Sequence, residues 1–175
     1  MKLPLAYYGD PILRKKCAPV EEINDEILQF IKDMEETMLA HDGWGLAAPQ
    51  VHRSLAVFMI CIGKQIGPDQ WVPGKTRVFI NPKIIECSKE EIVRGEGCLS
   101  IPGLYGDVYR PASVVIEATD VDGKRSVQEF KEMEARGIFH ENDHINGVLY
   151  IDRIRGAERE ELDAALRAIK KKYHK

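Results

Sequence analysis

Two histidines four residues apart, His140 and His144, have the spacing needed to bind one metal ion. On an α-helix, positions four apart lie one above the other on the same face, so both imidazole rings can reach one point. Neutral imidazole is among the commonest ligands for Zn, Fe, Ni and Co. Glu141 directly follows His140, and its carboxylate can reach a water held by such an ion, as a general base does. The segment therefore predicts a hydrolytic metal site.

Two histidines do not complete such a site, because a tetrahedral catalytic metal takes a third protein ligand and keeps one position open. Cys98 is the best candidate, since residues 95–100 form a glycine-containing turn that exposes its thiol. Cys17, Cys61 and Cys87 lie in apolar or periodic contexts that are typical of packing cysteines. If Cys98 approaches the histidine pair, one thiolate and two imidazoles make a three-ligand site.

Composition places the chain among ordinary globular proteins. Its 175 residues, 44% hydrophobic and 30% charged, suffice for one buried core but not for two domains. A net charge of −3 gives no general signal for nucleic acid or membrane binding. The chain has neither a signal peptide nor an apolar run of about 18 residues, and its four cysteines are scattered, so we expect a reduced, cytoplasmic protein. We predict one metallo-hydrolase domain over residues 1–175, with a peripheral C-terminal helix at about 157–172.

Hydrophobic periodicity predicts the elements that carry these residues. Apolar positions three and four apart from Ile27 to Leu39 predict an amphipathic helix that Asn24 caps. The histidine helix is expected to end near Asn146 and Gly147. The remaining segments are expected to be strands at 55–62, 77–80, 83–87, 91–96, 113–119 and 125–130, a surface loop at 63–74, and a hairpin turn at 120–123. Because strands cluster rather than alternate with helices, we predict an α+β fold, with antiparallel or mixed sheets around the central histidine helix and a helix near each end of the chain.

A third segment, Gly43-Trp44-Gly45-Leu46-Ala47-Ala48-Pro49-Gln50, has a less specific pattern. It is not a phosphate-binding loop, because it lacks the preceding strand and the Gly-Lys-Ser/Thr end. Its glycines let the backbone approach a ligand or another segment closely, and Gln50 ends it with a side-chain amide. Taken alone, the segment is more typical of a packing turn of small residues.

Taken together, residues 43–50, 96–100 and 140–144 resemble the three motifs of peptide deformylases, in the same order along the chain. The similarity extends from about residue 5 to residue 155, and Ser100-Ile101-Pro102-Gly103-Leu104-Tyr105 is most similar to the bacterial and plastid branch. The resemblance implies an enzyme that removes the N-formyl group from the N-terminal formylmethionine of newly made polypeptides and releases formate.

The resemblance also implies the metal chemistry. Cys98, His140 and His144 would bind one divalent ion, naturally Fe(II), with Ni, Co or Zn able to replace it. Nothing in the residues themselves selects iron over zinc. A metal-bound hydroxide would attack the formyl carbon, and Glu141 would take the proton of the water and give it to the departing amine.

Further residues are implied to bind the substrate and the developing oxyanion. The Gln50 side chain and the Leu99 backbone N–H would stabilise the oxyanion. Gly43, Trp44 and Gly45 would bind the peptide in a strand-adding mode. Trp44 stands where isoleucine or valine is usual in the family, near the pocket for the methionine side chain.

Residues around the ligands also match family positions. Glu96 and Arg110 are expected to pair and to hold the cysteine turn in place. Asp143 is expected to support one of the ligands. Phe139 and Ile145 stand where glutamine and leucine are usual, but neither is a ligand or the base.

Two other functions fit part of the sequence. A zinc-dependent peptidase shares the histidine-pair helix, but it needs a carboxylate or a third histidine as ligand and leaves Cys98 without a role. A structural-metal or redox-sensing module would use further cysteines, yet those of this chain lack the paired spacing of such modules. The expected partners are nascent formyl-Met peptides, with no membrane and no specific nucleic acid. Transient contact of the basic C-terminal helix with the ribosome is a hypothesis from the nature of the substrate.

Overall fold

The computed structural model describes residues 1–68, 70–72 and 74–174. Its architecture is α+β, with antiparallel sheets and helices towards both ends, which confirms the predicted fold class. Over the described residues the α-helices are α1 (Asp25–Ala40), α2 (Glu132–Ile145), α3 (Ala157–Glu161) and α4 (Asp163–Tyr173). The strands in the same part of the chain are β1 (Gly45–Ala47), β2 (Val57–Ile60), β3 (Lys64–Gly67), β4 (Gln70–Val72), β5 (Arg77–Cys87), β6 (Glu91–Cys98), β7 (Ile101–Pro111), β8 (Ser113–Thr119) and β9 (Arg125–Lys131).

The main sheet contains five antiparallel strands in the order β1-β2-β5-β8-β9, so β1 lies at one edge. Two separate hairpins, β3–β4 and β6–β7, complete the strand pairing. The predicted turn between β8 and β9 is present, and the Asp120 side chain accepts hydrogen bonds from the backbone of Asp122 (3.0 Å) and Lys124 (2.9 Å). This local bonding explains why an aspartate opens the turn.

The predicted N-terminal amphipathic helix is α1. The Asn24 side chain accepts a hydrogen bond from the Ile27 N–H at 3.1 Å, which satisfies one of the free donors at the helix start. The buried face of α1, which includes Ile31, Met34 and Met38, packs against residues of β1 and β2. Helix α1 thus supports β1, the strand that lies within the Gly43–Gln50 segment.

Helix α2 carries the histidine pair and packs on the main sheet. Its side chains Ala135 and Ile138 are fully buried in a cluster with Phe58 and Phe79. Burial of one such aliphatic side chain contributes about 1.5–3 kcal/mol. Packing of this apolar face fixes the rotation of α2, so the histidines on its other side have one orientation.

Strand β5 differs from the sequence prediction, which placed one strand before Asn81 and Pro82 and a second strand after them. The strand is continuous because a bulge accommodates these two residues, with Asn81 at φ +51° and a shift of register against β8. The Asn81 side chain accepts from the Val20 N–H and donates to the Val20 carbonyl, each at 2.8 Å. These bonds hold the bulge in place.

Two further segments form more strand than predicted. The expected loop at 63–74 contains the β3–β4 hairpin, although Asp69 and Pro73 lie outside the described residues. Strand β7 was not predicted, because proline and glycine near its start are poor strand formers. Its pairing with β6 overrides that local preference.

The C-terminal segment, predicted as one helix, forms α3 and α4 with Leu162 between them. Leu166 and Ile169 of α4 are buried in a cluster with Ile101 and Ile151. Among the described residues, no helix combines the length and apolar character that crossing a lipid bilayer requires.

Candidate active site and metal centre

Cys98, His140 and His144 are brought together by two elements that are distant in sequence. One candidate ligand atom from each residue lies within 4.8 Å of the other two. The Cys98 Sγ is 3.3 Å from the His144 Nε2, and the two imidazole centroids are 5.1 Å apart. Cys98 is the last residue of β6, whereas both histidines project from one face of α2. Within the described ranges, no other group of three His, Cys, Asp or Glu side chains is so closely arranged.

The arrangement of these atoms fits a bound divalent cation. A thiolate sulfur and an imidazole nitrogen bound to one tetrahedral ion would lie about 3.6 Å apart, close to the observed 3.3 Å. The His140 Nδ1 is 2.8 Å from the Glu96 Oε1, and a proton donated there leaves the Nε2 lone pair free for a ligand bond. The donor set of one sulfur and two nitrogens suits Fe, Co, Ni or Zn.

Burial and hydrogen bonds shift the pKa values of the two histidines in opposite directions. Burial lowers the pKa of His144 well below its usual value, and the neighbouring His140 adds to that shift. Burial also acts to lower the pKa of His140, but hydrogen bonds to Cys98 and Glu96 raise it overall to well above its usual value. The thiol and carboxylate that stabilise a protonated His140 are groups that would equally stabilise a metal cation.

Glu96 is the hub of a buried charge network behind the histidines. It accepts hydrogen bonds from Arg110 Nε (3.0 Å) and Nη2 (2.9 Å), and one from Arg136 Nη1 (2.6 Å). Burial acts to raise the pKa of Glu96, but the hydrogen bonds from His140 and Arg110 hold it well below its usual range. The pairing of Glu96 with Arg110 that the resemblance implied is therefore present, and it joins β6 to β7. The contacts of Glu96 with Arg136 and His140 join the cysteine strand to the histidine helix.

Asp143 extends this network on α2. Its carboxylate accepts from Arg110 Nη1 at 2.6 Å and from Arg153 Nη2 at 2.8 Å. Asp143 thus supports the ligands through Arg110 and Glu96 rather than by direct contact with a histidine ring.

Arg136 is the member of the network that sequence reasoning missed. Besides Glu96, it donates to the carbonyl oxygens of Val108 (3.0 Å) and Ile92 (2.5 Å). Its position four residues before His140 places it on the same face of α2, which was the available signal.

Glu141 lies beside the ligand group and is 4% exposed. Its Oε2 is buried, and no atom of the described residues hydrogen bonds to it. Burial raises the pKa of Glu141 to about 7, although His140 opposes the rise. A side chain at Gly45 would clash here, because a Cβ atom would lie 2.9 Å from the Glu141 Cδ. The glycine therefore lets β1 pass directly over this carboxyl group.

Gln50 and Leu99 are both close to Cys98, Gln50 in space and Leu99 as the next residue of the chain. The Gln50 Oε1 accepts the Ala47 N–H at 2.9 Å, which fixes the orientation of the amide. Its Nε2 consequently faces the Cys98 Sγ at 3.4 Å and the Ser100 Oγ at 3.2 Å. Leu99 lies in the two-residue turn between β6 and β7 and directly follows Cys98.

These side chains open into a cavity of about 770 Å³. Gly43, Trp44 and Gly45 line it together with Gln50, Cys98, Leu99, His140 and Glu141. Its volume is in the upper part of the range for small-molecule sites, about 300–1,000 Å³. The cavity reaches Gly45, the first residue of β1, which is an edge strand of the main sheet.

Comparison with known proteins gives a consistent result. The family model for polypeptide deformylase matches residues 2–160. The peptide deformylase of Cytophaga hutchinsonii is 42% identical over 171 residues, which cover 98% of this chain and 92% of that protein. That of Clostridium botulinum is 45% identical over 146 residues, covering 83% of this chain and 92% of its own length.

Solved structures of similar proteins have the same fold. The crystal structure of plant peptide deformylase PDF1B has a TM-score of 0.89 at 36% identity, covering 98% of this chain and 90% of that chain. A peptide deformylase from Plasmodium falciparum has a TM-score of 0.88 at 32% identity, covering 97% of this chain and 96% of that one.

Proposed function

From the premise that this chain belongs to the polypeptide deformylase family and is a hydrolase, we propose that it removes the formyl group from the N-terminal formylmethionine of newly made polypeptides. The products are formate and a free amino terminus. The observation that carries the proposal is the approach of Cys98, His140 and His144 to within 4.8 Å, beside the buried carboxyl group of Glu141.

Cys98, His140 and His144 hold one divalent metal ion in this proposal, with Fe(II) expected and Ni, Co or Zn able to substitute. The bound ion supplies Lewis-acid chemistry, because its charge lowers the pKa of water at the site and polarises the formyl oxygen. Glu96 orients His140 through the 2.8 Å contact at Nδ1, so that Nε2 is the ligand atom.

Glu141 acts as the proton carrier. Its Oε2 is the buried oxygen without a partner among the described residues, and it can accept a proton from the attacking water. The same carboxyl group then donates that proton to the amine as the C–N bond of the formamide breaks. A pKa raised towards neutrality suits a group that must both accept and donate.

Two donors stabilise the negative charge that develops on the formyl oxygen. The Gln50 Nε2 is held towards Cys98 by the bond between Oε1 and Ala47, so it needs no reorganisation during the reaction. The Leu99 N–H is the second donor, from the turn that follows Cys98. One such donor is worth about 3–4 kcal/mol of the barrier.

The substrate main chain adds to the outer edge of β1. Gly45, the first residue of β1, lines the cavity at that edge, where its backbone can pair with an extended peptide, and Gly43 and Trp44 line the cavity beside it. Trp44, Met133 and Gly137 also line the cavity and would receive the methionine side chain. Backbone pairing does not depend on the side chains of the substrate, and the pocket receives only the methionine side chain. This combination would allow many different polypeptides to be processed.

The peptidase alternative receives no support from the site. Such an enzyme would need a third histidine or a carboxylate as ligand, whereas the third ligand atom within 4.8 Å here is the Cys98 sulfur.

Formate release from a short formyl-Met peptide, measured with metal analysis of the same preparation, tests the proposal. The wild type should release formate, and Glu141→Gln should lose about 10²- to 10⁴-fold in kcat while it keeps its metal. Glu134→Gln is the matched control on α2, because Glu134 is partly exposed and makes only a 3.6 Å contact with Arg77. Absence of formate with the metal-loaded wild type would refute the proposed function, and loss of metal from Glu141→Gln would reassign Glu141 as a ligand.

Contact with the ribosome remains a prediction. Lys170, Lys171 and Lys172 form the basic last turn of α4. Salt-sensitive co-sedimentation with ribosomes would support this contact, and a distribution independent of ribosomes and of salt would contradict it.

A further inference from the structure

The cavity lining includes apolar and aromatic side chains that the proposed chemistry does not use. These are Leu5, Tyr7, Ile101, Leu104 and Tyr173. The residues come from the N-terminal segment, from β7 and from the last turn of α4. The match to the family model ends at residue 160, so α4 and its Tyr173 lie beyond it.

The N-terminal segment is bound directly to the reacting end of the cavity. The Ala6 N–H donates to the Gln50 carbonyl at 2.8 Å, and the Tyr8 N–H donates to the Ser100 carbonyl at 2.8 Å. Tyr7 lies between these two bonds, so its backbone position is fixed relative to the proposed catalytic groups.

Helix α4 fixes the second aromatic ring. The rings of Tyr7 and Tyr173 stack with centroids 3.7 Å apart and planes 13° apart. The His174 Nε2 is 3.2 Å from the Tyr7 carbonyl oxygen, and Leu166 and Ile169 anchor the helix in the core. The stacked pair is therefore a preorganised apolar surface rather than two independent side chains, although both rings remain partly exposed.

We propose that Tyr7 and Tyr173 form a subsite for apolar and aromatic side chains of the polypeptide that follows the N-terminal methionine. The inference rests on the proposed function and specifies its substrate beyond the first residue. The cavity is larger than one residue requires, and an extended chain that leaves the β1 edge advances about 3.3 Å per residue. In this proposal, residues two to four of the substrate extend through the same cavity that Tyr7 and Tyr173 line, and aromatic rings favour contact with other rings.

A set of four peptides tests this subsite. The reference is formyl-Met followed by three alanines, and in each other peptide one alanine is replaced by phenylalanine. The wild type should have a lower KM for at least one phenylalanine peptide, by about three- to tenfold, the value of one aromatic contact. Tyr173→Ala should lose this preference, whereas Tyr173→Phe should retain it because the stacked ring remains.

Two further variants separate binding from folding. Tyr7→Leu keeps an apolar side chain but removes the aromatic face, so it should also lose the preference. Tyr109→Ala is the matched control, because Tyr109 is an exposed tyrosine of β7 outside the cavity, and the preference should persist in it. Circular dichroism and the unfolding midpoint establish that each variant is folded.

The possible results are distinct. If the wild type shows no preference for phenylalanine at any position, or if folded Tyr173→Ala and Tyr7→Leu both keep it, the subsite is refuted. If the alanine peptide releases no formate either, it is the proposed function that fails. Normal turnover of the alanine peptide without any phenylalanine preference would overturn the subsite alone.

Discussion

Replacement of Glu96 by glutamine should destabilise the protein strongly, although the side chain keeps its size. Glu96 neutralises two guanidinium groups, those of Arg110 and Arg136, and it orients His140. In the variant, Arg110 keeps its 2.6 Å contact with Asp143, whereas Arg136 keeps only carbonyl oxygens as acceptors. The buried Arg136 therefore loses the one carboxylate that pairs with it among the described residues.

The size of the effect follows from burial. Removal of one partner from a buried ion pair costs about 3–5 kcal/mol. Glutamine can still accept part of the hydrogen bonding, so we expect the lower end, about 3 kcal/mol of the free energy of unfolding. For a chain of this length, this loss corresponds to a fall in Tm of about 6–12 °C.

Urea or thermal unfolding followed by circular dichroism measures this change. Both proteins must carry the same metal content, because a ligand that binds only the folded state adds to the free energy of unfolding. Glu91→Gln is the matched control on the same strand, since Glu91 makes an exposed, 3.7 Å contact with Arg155 that is worth at most about 1 kcal/mol. If Glu96→Gln lowers stability no more than Glu91→Gln does, the buried charge network around Glu96 does not stabilise the site.

Three other changes have defined outcomes. Cys98→Ala should lose most of the bound metal on elemental analysis, and unchanged content would mean that the third ligand lies elsewhere. Gly45→Ala should lower kcat about 100-fold in the formate assay, because the added methyl group displaces Glu141, and normal turnover would contradict this close approach. Burial acts to raise the pKa of Asp152, but a hydrogen bond from Arg14 lowers it overall. The ionised carboxylate therefore stabilises the folded state at pH values above its pKa in the unfolded chain, and this contribution to the free energy of unfolding is lost as the pH falls. Asp152→Asn should therefore be less stable than wild type in urea at pH 7, by at most about 1 kcal/mol, and the deficit should be smaller at pH 3; an equal deficit at both pH values would exclude this cause.

Local sequence signals predicted the parts of the fold that local interactions determine. The cap at Asn24 and the Asx turn at Asp120 each depend on bonds within a few residues, and both were read correctly. The bulge at Asn81 was not predicted, because its side chain bonds to Val20, which is distant in sequence. The local sequence Asn81-Pro82 is typical of a turn, whereas in the folded chain the backbone of Val20 bonds to Asn81 and the strand continues.

The same division applies to the candidate site. The spacing of His140 and His144 on one helix face could be read directly, since helical periodicity fixes it. The approach of Cys98 to the histidines depends on how β6 packs on α2, which the spacing of residues along the chain does not determine. The resemblance to a known family therefore identified Cys98 as the third ligand more specifically than the spacing did. Arg136 was missed because an arginine on a helix is most often solvated, and only the structure shows three buried acceptors around its guanidinium group.

Strand β1 has a further consequence for how the protein behaves in a crowded solution. An open sheet margin is a template on which copies of one chain can stack and aggregate. In β1 that margin is only three residues long and begins with a glycine, so it offers a second folded molecule little backbone for pairing. A single extended peptide needs less backbone than the edge of a whole sheet does, so the shortness of β1 favours pairing with a peptide over pairing with another copy of the chain.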